Sequence, residues 1–250
     1  MKVAICLSGH LRGFQFKNIL NSISGVDYGV FISTWDVIGL SLGIYNNYSQ
    51  EKIDVKNLIS DIKNLKYFEI EEYKEIDQDL LKLSYRYKNI PADLSQPLAY
   101  DSNREDLRKY AINSMFRKLW LSVKEVTEDY DIIIRTRPDC TWNINRILSQ
   151  LSSINNIIVP SNYSFGGEST PGGGRICDSL AIGPYPSMKI YANIFNWLNE
   201  EETNSFLQKN DIWYCPHSLL RQYLILNKIP YSLENLEYAI LSETGEKRHQ

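Results

Sequence analysis

Histidine, methionine and cysteine are scarce: the 250 residues hold three His, three Met and four Cys. The cysteines Cys6, Cys140, Cys177 and Cys215 lack the paired spacing that builds a zinc site, and they read as free thiols packed beside strands and loops. Long apolar runs are also missing. The opening Met1-Lys2-Val3-Ala4-Ile5-Cys6-Leu7 is too short for a signal peptide, and no later run nears the roughly 20 residues that a bilayer requires, so a cytoplasmic chain without a membrane span is expected. There is no surplus of positive charge either. A formal net charge of −3 removes the footprint of a general nucleic-acid binder, which displaces counterions with clustered Lys and Arg. An anionic ligand must then be met by a few placed basic groups. No internal repeat and no low-complexity tract interrupts the chain.

What is present is enough apolar material, 43% of residues, for one large core. A single domain spanning 1–250 is expected, with a helical insertion around 71–129. Aromatics are abundant, with 17 Tyr and 5 Trp. Several fall in loops (Tyr45, Tyr48, Tyr163, Tyr185), where they serve either as rim packing or as stacking platforms for a sugar or nucleobase.

The hydrophobic pattern alternates between strand and helix periods. Lys2 to Leu7 is a buried strand ended by Ser8-Gly9-His10. Gln15 to Ser24 places Phe16, Ile19, Leu20 and Ile23 at helical spacing, and Tyr28 to Trp35 is a β-branched and aromatic strand. A strand–helix–strand opening predicts a mostly parallel sheet flanked by helices, an α/β domain of Rossmann-like kind. Glu51 to Leu65 has helical periodicity before a third strand at Tyr67–Ile70, and Asp77 to Leu98 reads as partly helical. Asn103 to Glu128 is a long helix with Leu107, Tyr110, Ala111, Met115, Leu119, Trp120 and Val123 on one face, capped by Asp101, Ser102 or Asn103. Asp131 to Arg137 carries three consecutive isoleucines bounded by Pro138, the mark of a central strand covered on both faces. Ile154–Pro160 and Ile176–Gly183 read as strands, the latter carrying Asp178. Ser161 to Arg175 is a loop with five glycines. Ser187–Leu198 and the run through Leu219 to Leu224 read as helices, and the charged stretch after Tyr238 as a fraying end.

In open parallel sheets ligands sit beyond the carboxyl ends of the strands. That rule brings Ser8 to Gly13, Trp35-Asp36 and Arg135 to Asp139 to one rim. The loop Ser8-Gly9-His10-Leu11-Arg12-Gly13 can cradle a pyrophosphate with backbone N–H groups and the Arg12 guanidinium, although it lacks both the P-loop and the dinucleotide fingerprint. The alternative is an ordinary βα turn. Arg135 and Arg137 alternate and point to one face at the end of an apolar run, where burial is costly unless anions neutralise them. Either they form internal salt bridges, or they hold a diphosphate while Asp139 binds a divalent metal or a sugar hydroxyl. His10 and His217 are each either structural or ligand-binding.

Four segments together carry a resemblance: Ala4-Ile5-Cys6-Leu7-Ser8-Gly9-His10-Leu11-Arg12, Phe31-Ile32-Ser33-Thr34-Trp35-Asp36, Tyr130 to Asp139, and Asp178-Ser179-Leu180-Ala181-Ile182-Gly183 with Met188 and Tyr191. The chain resembles small bacterial and viral glycosyltransferases of surface-polysaccharide synthesis over residues 1 to about 191; residues 37 to 100 add nothing to it. The resemblance implies a GT-A-like fold, a nucleotide-sugar co-substrate, and a glycan or lipid-linked glycan acceptor. It puts Arg137-Pro138-Asp139 where such enzymes carry an Asp-any-Asp metal motif. One carboxylate is missing, so Mg²⁺ or Mn²⁺ would rest on Asp139 with His217, or the two arginines would neutralise the leaving diphosphate without a metal. It also implies that the glycine-rich loop closes over donor and acceptor, with Asp178 as first and Glu168 as second choice of catalytic base.

Two other readings remain open at this level. A phosphoadenosine-dependent sulfotransferase also begins with a strand and a Ser/Gly/Arg phosphate loop, and needs no metal. A non-catalytic carbohydrate-binding protein accounts for the aromatic loops but not for paired arginines at the end of a buried strand.

Overall fold

The computed structural model describes residues 1–11, 15–37, 52–73, 77–92, 105–142, 147, 149, 154–161, 164, 174–236 and 239–240. Among them the chain runs β1 (Lys2–Ser8), α1 (Gln15–Ser22), β2 (Asp27–Trp35), α2 (Val55–Ile59), β3 (Leu65–Glu71), α3 (Gln78–Arg86), α4 (Glu105–Lys124), β4 (Ile132–Thr136), β5 (Cys140–Thr141) and β6 (Ile157–Pro160). It continues through β7 (Leu180–Pro184), α5 (Tyr185–Ala192), α6 (Ile194–Asn199), α7 (Glu201–Lys209), α8 (Pro216–Leu226), β8 (Tyr231–Glu234) and β9 (Ala239–Ile240).

The main sheet has seven strands in the order β3-β2-β1-β4-β7-β6-β8. Strands β3, β2, β1 and β4 are all parallel, β7 runs antiparallel between β4 and β6, and β8 is parallel to β6. The result is the mostly parallel, helix-flanked α/β sheet expected of a GT-A-like domain. Its order follows from the sequence: Val3 to Leu7 and Ile132 to Ile134 are buried at every position, as strands covered on both faces must be. Because β2 lies on one side of β1 and β4 on the other, the winding reverses between β1 and β4. That reversal is the switch point at which a crevice opens beyond the strand ends.

Several sequence-based boundaries are corrected. The helical pattern of Glu51–Leu65 shrinks to α2, whose start is fixed by Asp54 accepting from the Asn57 N–H at 3.1 Å. The expected strand Ile176–Gly183 begins only at Leu180, which leaves Asp178 in the preceding loop. Ser187–Leu198 is two helices, α5 and α6, broken at Asn193. The expected single apolar face of α4 is also wrong: Arg108, Lys109, Asn113 and Lys118 are buried as well, because the helix packs at once against β1, β2, β3, α3, α5 and α6. Ala239–Ile240 lies antiparallel to Cys140–Thr141, and the rest of the charged stretch expected to fray lies outside the described residues. The expected cap residues 101–103 and the loop 39–50 lie outside the described residues. All four cysteines are free and buried. No helix among the described residues is long and apolar enough to cross a membrane.

One backbone passage is tight. A Cβ on Gly29, in the middle of β2, would meet the Tyr130 Oη at 2.2 Å and the Lys66 Cγ at 2.8 Å. Tyr130 cannot easily yield, since it is buried, packs edge-on against Phe31 at 5.5 Å, and lies under the Lys2 ammonium.

Candidate functional site

Beyond the switch point, the loops after β1 and β4 lie against each other. Gly9 has φ +120°, a conformation that side chains disfavour, and a Cβ there would sit 3.9 Å from the Pro138 ring. The Gly9 N–H donates to the Ser33 carbonyl at 3.1 Å, tying the β1 loop to the end of β2. Antiparallel β7 adds a third segment to the same rim, because Leu180 pairs with Thr136 and the Arg137 N–H donates to the Ser179 carbonyl at 3.1 Å. Ser8, Gly9, Arg135, Arg137, Asp139 and Asp178 are thus brought together.

Arg135 and Arg137 differ. Arg135 is 0% exposed; its Nε donates to the Ser8 Oγ at 3.0 Å, and its two terminal nitrogens have no hydrogen-bond partner among the described residues. Buried polar groups are almost always paired, so two orphaned donors on one buried cation are unusual. The Tyr191 hydroxyl is likewise buried without a partner. Arg137 makes the internal salt bridge that was one of the two readings of the paired arginines. Its Nε and Nη2 donate to the two oxygens of Asp139 at 2.9 and 2.6 Å, a bidentate fork. Against the burial that would lower it, Asp139, Cys140 and Asp178 hold the Arg137 pKa well above its ordinary value. Arg137 keeps 26% of its side chain exposed, whereas Asp139 keeps 5%.

The fork bears on a metal. Both Asp139 oxygens face a guanidinium where a cation would have to sit, and no group of three or more His, Cys, Asp or Glu residues among the described ones is placed to hold an ion. His217, the other expected ligand, uses its Nδ1 on the Ile176 carbonyl at 2.9 Å, with Asp178 Oδ1 at 3.5 Å. With Nδ1 on a carbonyl, Nε2 is the His217 nitrogen left to face an ion, whereas both Asp139 oxygens are engaged by Arg137.

Asp178 is buried and receives the Ser179 hydroxyl at 3.2 Å. Burial pushes its pKa up, but His217, Arg137 and Arg135 outweigh that, so the carboxyl sits below the usual range. A carboxylate held anionic in this way is a weak proton acceptor. The alternate base, Glu168, and the loop arginine, Arg12, lie outside the described residues.

At the other end of the rim, His10 stacks on Trp35 with centroids 4.3 Å apart and lies 5.7 Å from Tyr73. Asp36 is engaged by the protein: Oδ1 accepts from the Tyr73 N–H at 2.7 Å, and Oδ2 lies 3.5 Å from Lys52. Lys118 was missed from the sequence because it hides within the long helix. It is buried, donates to the Thr34 carbonyl at 2.7 Å, pairs with Glu71 at 2.6 Å, and sits 4.7 Å from the Trp35 ring centre. Burial lowers its pKa to about 8, with Glu71 opposing. This cation fixes the indole that carries the His10 stack. Tyr73 was missed too, and only its neighbourhood in space marks it.

No protein-family model matches this chain, and no curated protein does. Among solved structures the chain is similar to the apo form of mouse xyloside xylosyltransferase 1, with a TM-score of 0.47 and 8% sequence identity over 93% of this chain and 84% of that one. A likeness this distant leaves the assignment of function to the residues of the chain itself.

Proposed function

We propose that the chain is a glycosyltransferase that binds the diphosphate of a nucleotide-sugar at the switch point between β1 and β4 and passes the sugar to a glycan acceptor. The observation that carries this is Arg135, a guanidinium buried at the end of a central strand whose two terminal nitrogens find no hydrogen-bond partner among the described residues. Such donors are expensive to leave unmade, and an anionic group at the rim would satisfy them.

As the acceptor hydroxyl oxygen bonds to the anomeric carbon, the bond from that carbon to the diphosphate breaks, its electron pair and negative charge move onto the leaving phosphate oxygen, and the hydroxyl proton passes to that diphosphate. Arg135 and Arg137 stabilise that charge without a metal in this reading. The aromatic stack of His10 and Trp35 offers a face to the nucleoside. Asp178, held below the usual carboxyl range by His217, Arg137 and Arg135 against its burial, suits a hydrogen bond from a sugar hydroxyl better than proton abstraction. A divalent ion, if one is used, would supply further charge neutralisation at the diphosphate.

The test is thermal stability with UDP, GDP or adenosine 3′,5′-bisphosphate, on the wild type and on Arg135→Met. A nucleotide at 100 times its Kd stabilises by about 2.7 kcal/mol. Stabilisation by UDP or GDP is expected, and it should be lost in Arg135→Met. That variant itself should keep wild-type stability or gain up to about 2 kcal/mol, because an apolar side chain replaces an incompletely paired buried charge. Stabilisation only by the adenosine bisphosphate would favour sulfuryl transfer. No response to any of the three would remove the enzyme reading.

A further inference from the structure

We propose that Asp139 is an internal occupant of the Arg137 anion seat, displaced by the donor's diphosphate, and not a metal ligand. The inference rests on the diphosphate reading above and concerns how that site is regulated.

The geometry is that of a stand-in. A carboxylate and a phosphate both present two oxygens at a spacing that a guanidinium fork matches, so a bidentate Arg–carboxylate pair occupies the donors that a bidentate Arg–phosphate pair would use. In Arg137 those donors are Nε and Nη2, at 2.9 and 2.6 Å from the Asp139 oxygens. The pair is local and held in shape. Arg137-Pro138-Asp139-Cys140 is a turn closed by the Cys140 N–H donating to the Arg137 carbonyl at 3.2 Å, with Pro138 at the position where its fixed φ suits such a turn. β5 follows directly, anchored by its pairing with β9.

Exposure differs between the partners in the sense that exchange requires. Arg137 keeps a quarter of its side chain open to solvent, whereas Asp139 is 5% exposed. Arg137 is thus the partner that lies closer to solvent. Arg135, whose unpaired nitrogens lie at the same strand end, has no comparable fork with a carboxylate. The two arginines divide the work: Arg135 awaits an anion, and Arg137 releases one. An intramolecular carboxylate competing for the same donors lowers the apparent affinity for diphosphate by the fraction of molecules in which the fork is closed. Asp139 then limits tight binding of donor and of the nucleoside diphosphate product alike.

The experiment titrates inorganic pyrophosphate and UDP into the full-length wild type and Asp139→Asn by calorimetry, in EDTA and in Mn²⁺. Asparagine keeps the size of the side chain and one acceptor oxygen but removes the charge that competes. The expected result is about tenfold tighter pyrophosphate and UDP binding by Asp139→Asn, with little difference between EDTA and Mn²⁺. Equal affinities for the two proteins would make the fork purely structural and overturn the inference while leaving the diphosphate site intact. Mn²⁺-dependent binding that is lost in Asp139→Asn would overturn it in favour of a metal ligand. If neither protein binds either probe, the diphosphate reading itself fails. Should the variant not fold, the Arg137 Nε–H resonance of the wild type, assigned by its loss in Arg137→Lys, supplies the second readout. It should move on pyrophosphate addition, and a resonance that stays fixed at saturation contradicts the exchange.

Discussion

At the rim, neighbouring charges decide what each residue can do. Asp178 is surrounded by His217, Arg137 and Arg135, and they hold its carboxyl below the ordinary range against the burial that would raise it. The consequence for stability has a definite sign. Over the window between the depressed folded value and the ordinary value of about 4, the unfolded chain binds a proton that the folded chain does not. The stabilisation is therefore complete above about pH 4 and is lost as pH falls through the folded value. Asp178→Asn should cost about 1–3 kcal/mol at pH 7, since it removes the buried anion that faces the buried Arg135 guanidinium. Urea unfolding of both proteins at pH 7 and pH 3 checks this: the gap should shrink at pH 3, and a gap that does not change with pH would show that Asp178 contributes no charge. The alternation of Arg135 and Arg137 after an apolar run was readable from the chain. The partner of Arg137 was not, because the sequence places Asp139 two residues away without saying whether the turn folds the carboxylate back or directs it outward.

The strands that build the switch point were the most legible elements, since Val3–Leu7, Tyr28–Thr34 and Ile132–Ile134 are continuous buried runs whose character leaves no second reading. Elements that depend on distant partners were not. β8 and β9 are short, and β9 is defined only by pairing with β5; α7 is polar on most of its surface and buries Thr203 and Leu207. Lys118 was invisible because helical periodicity marks apolar positions, whereas this lysine is buried by pairing with Glu71 and the Thr34 carbonyl. Gly29 is a similar case. Nothing in the sequence says that β2 must run bare beneath Tyr130, yet a methyl group there would overlap the phenol oxygen. Gly29→Ala should therefore destabilise by about 1–3 kcal/mol through overpacking, and Gly29→Ala with Tyr130→Phe, which removes that oxygen, should recover part of the loss. Chemical denaturation of the single and double variants measures it; a neutral Gly29→Ala would mean that β2 and Tyr130 separate without cost.

Taken as one molecule, the chain is a sheet that reverses its winding between β1 and β4 and gathers charged loops at that point. Three segments far apart in sequence, Ser8–His10, Arg137–Asp139 and Asp178–Ser179, meet there because β4 pairs with β1 on one edge and β7 on the other. The central claim is that this meeting place receives a diphosphate. A crystal structure of the wild type with UDP tests it most directly. The account predicts phosphate oxygens within about 3 Å of the Arg135 and Arg137 guanidinium nitrogens, with the Asp139 carboxylate turned away. UDP bound elsewhere, with the Arg137–Asp139 fork closed and the Arg135 nitrogens still unpaired, would contradict it.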